Sequence, residues 1–554
     1  MKSITSLLSI IVLGFGLFGC AAKEEVPIAN TGAAAPYGVV GIGYSETLTA
    51  ICSTVPLPWT LSSGVLPPGL NNFDGATGVV GGIPNVAGNV TVVFAGTNST
   101  GKTENCSVSF VVRPGMDRVS VDIIGNSVFG TVNTEPSISE IDGRYIAFTS
   151  APSILSPGAS LIAGVTGQQI YLHDRQTGRL SLVSQDNFGT PGFGGTSSAA
   201  SVSADGRFIV FVSTATNLVP GVSGPQIYLH DTQPAPNGRT TLVSKDASGS
   251  PASTTGFSPL SNTSPRISGD GRFIVFVSTA TNLVSGVTGQ QIYLHDTQPA
   301  PNGQTTLVSK DASGSPASTG SSNLSPTISA DGRFIAFVST ATNLVSGVTA
   351  QQIYRHDTQT SLSLPSGQTT LVSKDASGNP ASTGSSNLSP TISADGRFIA
   401  FVSTATNLVS GVTGQQIYLH DTQPAPNGRT TLVSKDASGS PASTTGFPTL
   451  SNTSPRISAD GRFIAFVSTA TNLVSGVSGQ QIYLHDFVGN VTRLVSQDNA
   501  GIPASTGSPI IVLSNTSPTI SADGRFVAFV SSATNLVTAP PAAAAFDVYV
   551  RAMP

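Results

Sequence analysis

Charge is scarce in this chain. Asp, Glu, Lys and Arg make up 10% of the 554 residues and nearly cancel, leaving a net charge of −4. No Lys/Arg cluster stands out, so the basic footprint that nucleic-acid binding needs is missing and no nucleic-acid partner is expected. No Gly-x-Ser-x-Gly occurs, which excludes a nucleophile elbow of the hydrolase type. His-Glu-x-x-His is absent too, and with it the usual zinc-hydrolase helix. Cysteine occurs three times and tryptophan once. Glycine (59) and proline (37) are plentiful, as a chain of short strands and many turns requires.

What is present is a repeat. Asp-Gly-Arg starts at Asp142, Asp205, Asp270, Asp331, Asp395, Asp460 and Asp523, in steps of 63, 65, 61, 64, 65 and 63 residues. A fixed period of this kind sets the architecture before any other feature. In the unit around Asp331, Arg333–Ser339, Gln352–Asp357, Gln368–Ser373 and Ser389–Ser393 are β-branched or aromatic runs separated by turn residues. Each unit therefore reads as four short strands. The Asp-Gly pair suits a tight hairpin, because Gly takes φ > 0 at little cost. Phe-Ile-Ala-Phe-Val is apolar at successive positions, the pattern of a strand covered on both faces. A β-propeller blade, sandwiched between two neighbours, supplies that cover.

The ends of the repeat array complete each other. Arg118-Val-Ser-Val-Asp-Ile123 matches the third run of a unit, and Phe546–Arg551 matches the second. Pairing the two in one blade closes a ring of seven and removes exposed sheet edges.

Met1 to Gly19 reads as a signal peptide: Lys2, then an apolar run from Leu7 to Phe18 that is shorter than a spanning helix. Leu17-Phe-Gly-Cys20 resembles a bacterial lipobox, which implies diacylglycerol on Cys20 and a membrane as partner; the alternative is a plain secretory signal with an incidental cysteine. Ala21, where Asp would imply inner-membrane retention, leans the location towards the outer membrane or cell surface. Residues 20–35 read as a tether, 36–113 as a separate small β unit, 112–117 as the link, and 118–554 as the ring. Cys52 and Cys106 both lie in the small unit. Export to an oxidising compartment favours a disulfide between them, the alternative being two buried thiols. Such a bridge would stabilise by roughly 4 kcal/mol on the chain-entropy model.

Two loop pairs alternate between the faces of such a ring. Asp-Gly and the Thr297–Gly303 type of turn share one face. Thr340–Thr349 and Asp311–Leu324 share the other, and these are longer and rich in Ser, Thr, Asn and Gly. Function usually sits on loops held by a rigid scaffold, so this long-loop face is the candidate binding face. Its repeated residues are Asn217, Asn282, Asn343, Asn407, Asn472 and Asn535, each able to hold a turn or to contact a ligand with avidity. All six histidines, His173, His230, His295, His356, His420 and His485, precede an Asp at the end of the second run. A His-Asp pair can belong to a catalytic triad, but one per blade around a wide ring points to a structural role and to no metal site.

Two resemblances follow. Pro58-Trp59, Leu66-Pro-Pro-Gly-Leu70, Thr77–Pro84 and Ala87-Gly88 resemble the Ig-like, cadherin-like domains of bacterial surface proteins, which implies a small β-sandwich with Trp59 in or near its core. The acidic calcium ligands of some relatives are not repeated in Thr97–Gly101. Ser-Ala-Asp-Gly-Arg-Phe-Ile-Ala-Phe-Val-Ser, Ala-Thr-Asn-Leu-Val, Ile-Tyr-Leu-His-Asp and Thr-Thr-Leu-Val-Ser resemble the TolB-like, WD-like propeller repeats of bacterial envelope proteins. That implies binding, docking or scaffolding without a shared active site. Relatives often carry Asp where Asp547 stands, whereas the other units here hold Gln. The expectation is an all-β chain: a seven-bladed propeller preceded by an Ig-like sandwich. It would act as a lipid-anchored, non-catalytic scaffold for a protein or glycan, with no cofactor and no metal. The alternatives are a propeller hydrolase acting on glycans or peptides and a structural surface-layer component.

Overall fold

The computed structural model describes residues 33–553 except 36–37, 41–42, 49–51, 53–56, 98–99, 127, 154–155, 235, 255–260, 299–302, 360–366, 424–427, 445–449, 508–512 and 538–545. Cys20 and the signal segment lie outside the described residues. Among those described there is no α-helix, and no helix long and apolar enough to cross a membrane.

Seven four-stranded antiparallel sheets follow one another along the described chain. In the fourth, Asn323–Ile328, Phe334–Ser339, Gln352–Asp357 and Gln368–Leu371 pair in that order. The innermost strands are mutual neighbours in a closed cycle, the first sheet's strand lying beside both the second's and the seventh's. This is a β-propeller arrangement. The second strand of each sheet is buried on both sides, as its unbroken apolar run required. Ala336, Val338 and Ile353 pack on Ile399, Phe401 and Tyr418 of the next sheet. Each such aliphatic or aromatic side chain contributes about 1.5–3 kcal/mol on burial.

The Asp-Gly-Arg-Phe motif is a turn that also glues neighbours. Asp331 Oδ1 accepts from the Arg333 N–H (3.0 Å) and the Ser329 hydroxyl (2.6 Å), and Ser329 Oγ in turn accepts the Phe334 N–H (2.9 Å). Gly332 has φ 76° and lies flat against the Phe273 ring of the preceding sheet, leaving no room for a Cβ.

Closure uses both ends of the array, but not in the register read from the sequence. Met116–Arg118 is the outermost strand of the seventh sheet, pairing Tyr549 with Arg118 and Arg551 with Met116. The equivalent pair in the fourth sheet is Tyr354 with Leu371, so the strand lies three residues earlier than the Arg118–Ile123 match implied. A serine sets this register: the Val548 N–H donates to Ser120 Oγ (3.0 Å) as the Ile353 N–H does to Ser373 Oγ (2.9 Å). The link therefore shrinks from 112–117 to Pro114-Gly115 between two strands.

The N-terminal unit is two sheets around one core. Gly88–Thr97 and Thr103–Arg113 form its long hairpin, joined by Trp59–Ser63 on one side and, in parallel, by Ala33–Ala34 and Gly38–Val39 on the other. Residues 33–35 thus belong to this unit and not to the tether. Tyr44–Thr47, Asn72–Asp74 and Val79–Gly82 form the second sheet. Trp59 is buried against Phe94, with ring centroids 5.9 Å apart. Cys52 and Cys106 are disulfide-bonded in the same core. The unit sits on the Asp-Gly face of the ring at its seam. Gln176 Nε2 donates to the Ala35 carbonyl (3.1 Å) and Arg525 Nη2 to the Gly43 carbonyl (3.3 Å).

Candidate functional site

On the long-loop face the six repeated asparagines act as clamps. Asn343 Oδ1 accepts the Ser318 N–H (2.9 Å) while its Nδ2 donates to the Pro316 carbonyl (2.9 Å). Asn217, Asn282, Asn407, Asn472 and Asn535 repeat the pair with Phe193 and Pro191, Ser253 and Pro251, Ser382 and Pro380, Ser443 and Pro441, and Ser505 and Pro503. Each side chain thereby ties one long loop of its sheet to the long loop that runs in from the preceding sheet, and both ends of its amide are used. The structure brings these residues to one face, but as loop fasteners.

Histidines are equally committed. His356 Nδ1 lies 2.9 Å from Thr369 Oγ1, and that hydroxyl donates to the Lys310 carbonyl of the preceding sheet (2.7 Å). Thr has a single hydroxyl proton, so Nδ1 carries the proton of the ring and donates. His230, His295, His420 and His485 repeat this link. Burial pushes all five down to about 4, and His173, which faces Leu180 in place of Thr, likewise. The Asp after each His turns away to an arginine: Arg333 holds Asp357 through Nε (2.8 Å) and Nη2 (2.7 Å). No His-Asp dyad of the triad type forms at these positions.

The Gln that opens each third strand is buried and saturated. Gln352 Oε1 accepts from Ser373 Oγ (2.6 Å) and its Nε2 donates to the Ala381 carbonyl (3.0 Å). In the closing sheet Asp547 takes this place. It accepts from Ser120 Oγ (2.8 Å) and Asn133 Nδ2 (3.2 Å) and pairs with Arg118 at 3.7 Å, both side chains almost inaccessible. The acid thus serves ring closure.

The central channel is where the repeats differ. Each innermost strand carries one residue at φ near +50°, namely Glu135, Ala199, Ser264, Ser325, Ser389, Ser454 and Ser517. The ladder skips at this bulge, as between Leu324 and Thr327. Two residues further on the chains hold Ser137, Ser201, Arg266, Thr327, Thr391, Arg456 and Thr519. These line a cavity of about 250 Å³. Arg266 and Arg456 come from the third and sixth sheets, on opposite sides of the ring. Each donates to the carbonyl of its own preceding proline (2.8 Å), and among the described residues neither forms an ion pair. Burial and the charge of Arg266 push Arg456 down to about 10.

The Asp-Gly end of the channel is drawn in by a cycle of peptide hydrogen bonds. The N–H groups of Ala204, Gly269, Ala330, Ala394, Ala459 and Ala522 donate to the carbonyls of Gly269, Ala330, Ala394, Ala459, Ala522 and Glu140 at 2.9–3.1 Å, and Ile141 N–H returns to the Ala204 carbonyl at 3.2 Å. Glu140 lines the cavity beside this cycle, and burial pushes its carboxyl up. Sequence reasoning missed the channel. The available signal was the position after Ser-Pro, which varies between Thr and Arg while its neighbours repeat. Among the described residues no group of three or more His, Cys, Asp or Glu could hold a metal ion.

No family model matches the chain, and no curated protein matches it. Solved structures do. TolB from Acinetobacter baumannii is 16% identical over 77% of this chain and 80% of its own, with a TM-score of 0.32. The β-propeller domain of the trilobed protease from Pyrococcus furiosus is 10% identical over 76% and 93%, with a TM-score of 0.42. A periplasmic gluconolactonase from Pseudomonas aeruginosa is 14% identical over 71% and 97%, with a TM-score of 0.34. Likeness at this level concerns the propeller arrangement and carries no argument about activity.

Proposed function

We propose that the chain is a lipid-anchored protein of the bacterial envelope, in which an Ig-like sandwich carries a seven-bladed β-propeller that binds a protein or glycan without catalysis. The observation that carries this reading is the commitment of the repeated polar side chains. The Asn clamps, His-Thr links, Arg-Asp forks and Gln-Ser pairs all bond within or between sheets. That leaves a rigid ring whose free chemistry lies on loop tips and in the channel. A second point supports the choice of face. The N-terminal unit, which follows the lipobox, packs on the Asp-Gly side, so the long-loop side is turned away from it. The signal segment and Cys20 support export and anchoring, and Ala21 after the cysteine supports the outer membrane or cell surface.

Protease shaving of intact cells, read by detection of propeller peptides, tests this. Rapid loss of the peptides places the ring outside the cell and supports capture of external ligands. Protection until the envelope is broken places it in the periplasm and supports docking of envelope proteins. A Cys20→Ala variant that stays in the membrane fraction would refute the lipid anchor.

A further inference from the structure

Two guanidinium groups share the channel, and nothing in the fold requires them there. Three of the seven equivalent positions hold Thr and two hold Ser, at the same bulge and in the same strand. Arg266 and Arg456 are therefore substitutions into a site that a small hydroxyl side chain already fills. They carry a cost. Packing in the ring pushes both guanidinium groups down, Arg456 also feels the positive charge of Arg266, and among the described residues the one side-chain hydrogen bond of each goes to the carbonyl of the residue before it.

The nearby carboxylates do not neutralise them. Glu135 is the acid that Arg266 senses, yet its Oε2 is taken by the Thr149 hydroxyl (3.1 Å) and by the Ala199 N–H (2.8 Å) at the seam of the first two sheets. Glu140 lies at the base of the cavity, beside Gly269 and the peptide cycle, and no ion pair joins it to either arginine among the described residues. What remains is a polar cavity walled by Ser137, Ser201, Thr327, Thr391 and Thr519, with a planar cationic fork on each of two opposite sides.

We propose that the channel of this ring binds a small dianionic oxyanion, either a tetrahedral phosphate-type ion or a short dicarboxylate, held between Arg266 and Arg456 with the Ser and Thr hydroxyls completing its hydrogen bonds. Guanidinium forks match such oxygens in geometry, and charge-assisted bonds are about twice as strong as neutral ones. A cavity near 250 Å³ admits an ion of this size. The site is independent of where the ring is displayed and of what its outer loops bind.

The test uses the purified full chain at constant ionic strength, with sodium chloride as reference and sodium phosphate, sulfate or succinate as probes. Thermal unfolding and titration calorimetry are read together. The expected result is saturable binding of at least one probe with a rise in the unfolding midpoint. In Arg266→Thr/Arg456→Thr, which installs the residue of the sister repeats, affinity falls at least tenfold and the midpoint without anion is equal to or above that of the parent. The single variants give intermediate affinities and serve if the double variant does not fold. Binding of phosphate and sulfate alone assigns a tetrahedral ion, and binding of succinate alone assigns a dicarboxylate. The proposal is overturned if no probe binds saturably, or if the double variant keeps the parent's affinity and midpoint shift.

Discussion

Acid should open this ring well before it discharges the ion pairs, and the histidines set the scale. Unfolded, each ring titrates near 6.5; folded, burial holds it at about 4. Between these values the unfolded chain binds more protons than the folded one, so stability is fully present above pH 6.5 and is lost as pH falls towards 4. Working the linkage from pH 7.5 to 5.0 gives about 2 kcal/mol per histidine. Six histidines share this shift, so the summed loss is on the order of 10 kcal/mol, comparable with the whole stability of a typical domain. Other groups do not mask it. The carboxylates paired with arginine, such as Asp357, are held below their ordinary value and protonate only at lower pH. Asp117, Glu140 and Asp547 are pushed up by burial and oppose the loss, but they are half as many. Urea unfolding at pH 7.5 and 5.0 measures the effect, the expected outcome being a midpoint that falls steeply. A His356→Gln variant keeps a donor for Thr369 Oγ1 and removes one titrating ring, so its loss over the same interval should be smaller by about 2 kcal/mol. A midpoint that is level between the two pH values, or a variant with the parent's full loss, would refute the reasoning.

Two further substitutions test how the ring is held. Asp547→Gln installs the residue of the other six sheets but strands the buried Arg118, and should cost about 3 kcal/mol in urea unfolding. Adding Arg118→Leu, after Leu371 at the matching position, should recover most of that loss; equal stability of the single and double variants would show that the pair does not key closure. Gly332→Ala should cost about 3 kcal/mol, because a Cβ at positive φ meets the Phe273 ring of the neighbouring sheet. An alanine variant with the parent's midpoint would mean that the Gly-on-Phe contact contributes nothing between sheets.

Much of the architecture was open to reading in one dimension because each repeat is a local unit. Four apolar runs between turn residues make a four-stranded sheet wherever they occur, and Phe-Ile-Ala-Phe-Val declares that both faces will be covered. The Asp-Gly turn was legible for the same reason: Ser329, Asp331, Arg333 and Phe334 satisfy one another within six residues. Repetition was also what pointed the histidines to a structural role, while for the asparagines it left turn-holding and ligand contact both open. Their partners, however, lie well away in the chain: His356 reaches the carbonyl of Lys310 through Thr369, and Asn343 reaches back to Pro316.

Ring closure decided the rest. The register of Met116–Arg118 depends on Ser120 meeting Val548, a contact between opposite ends of the array that no local pattern encodes. Residues 33–35 join the first sheet unit because Thr103–Arg113 offers a free edge, which only the packed hairpin reveals. Arg266 and Arg456 stand three repeats apart in the chain, each next to a proline in an ordinary strand. They become one site only because seven innermost strands converge on a common axis, where side chains that never meet along the sequence look into the same cavity.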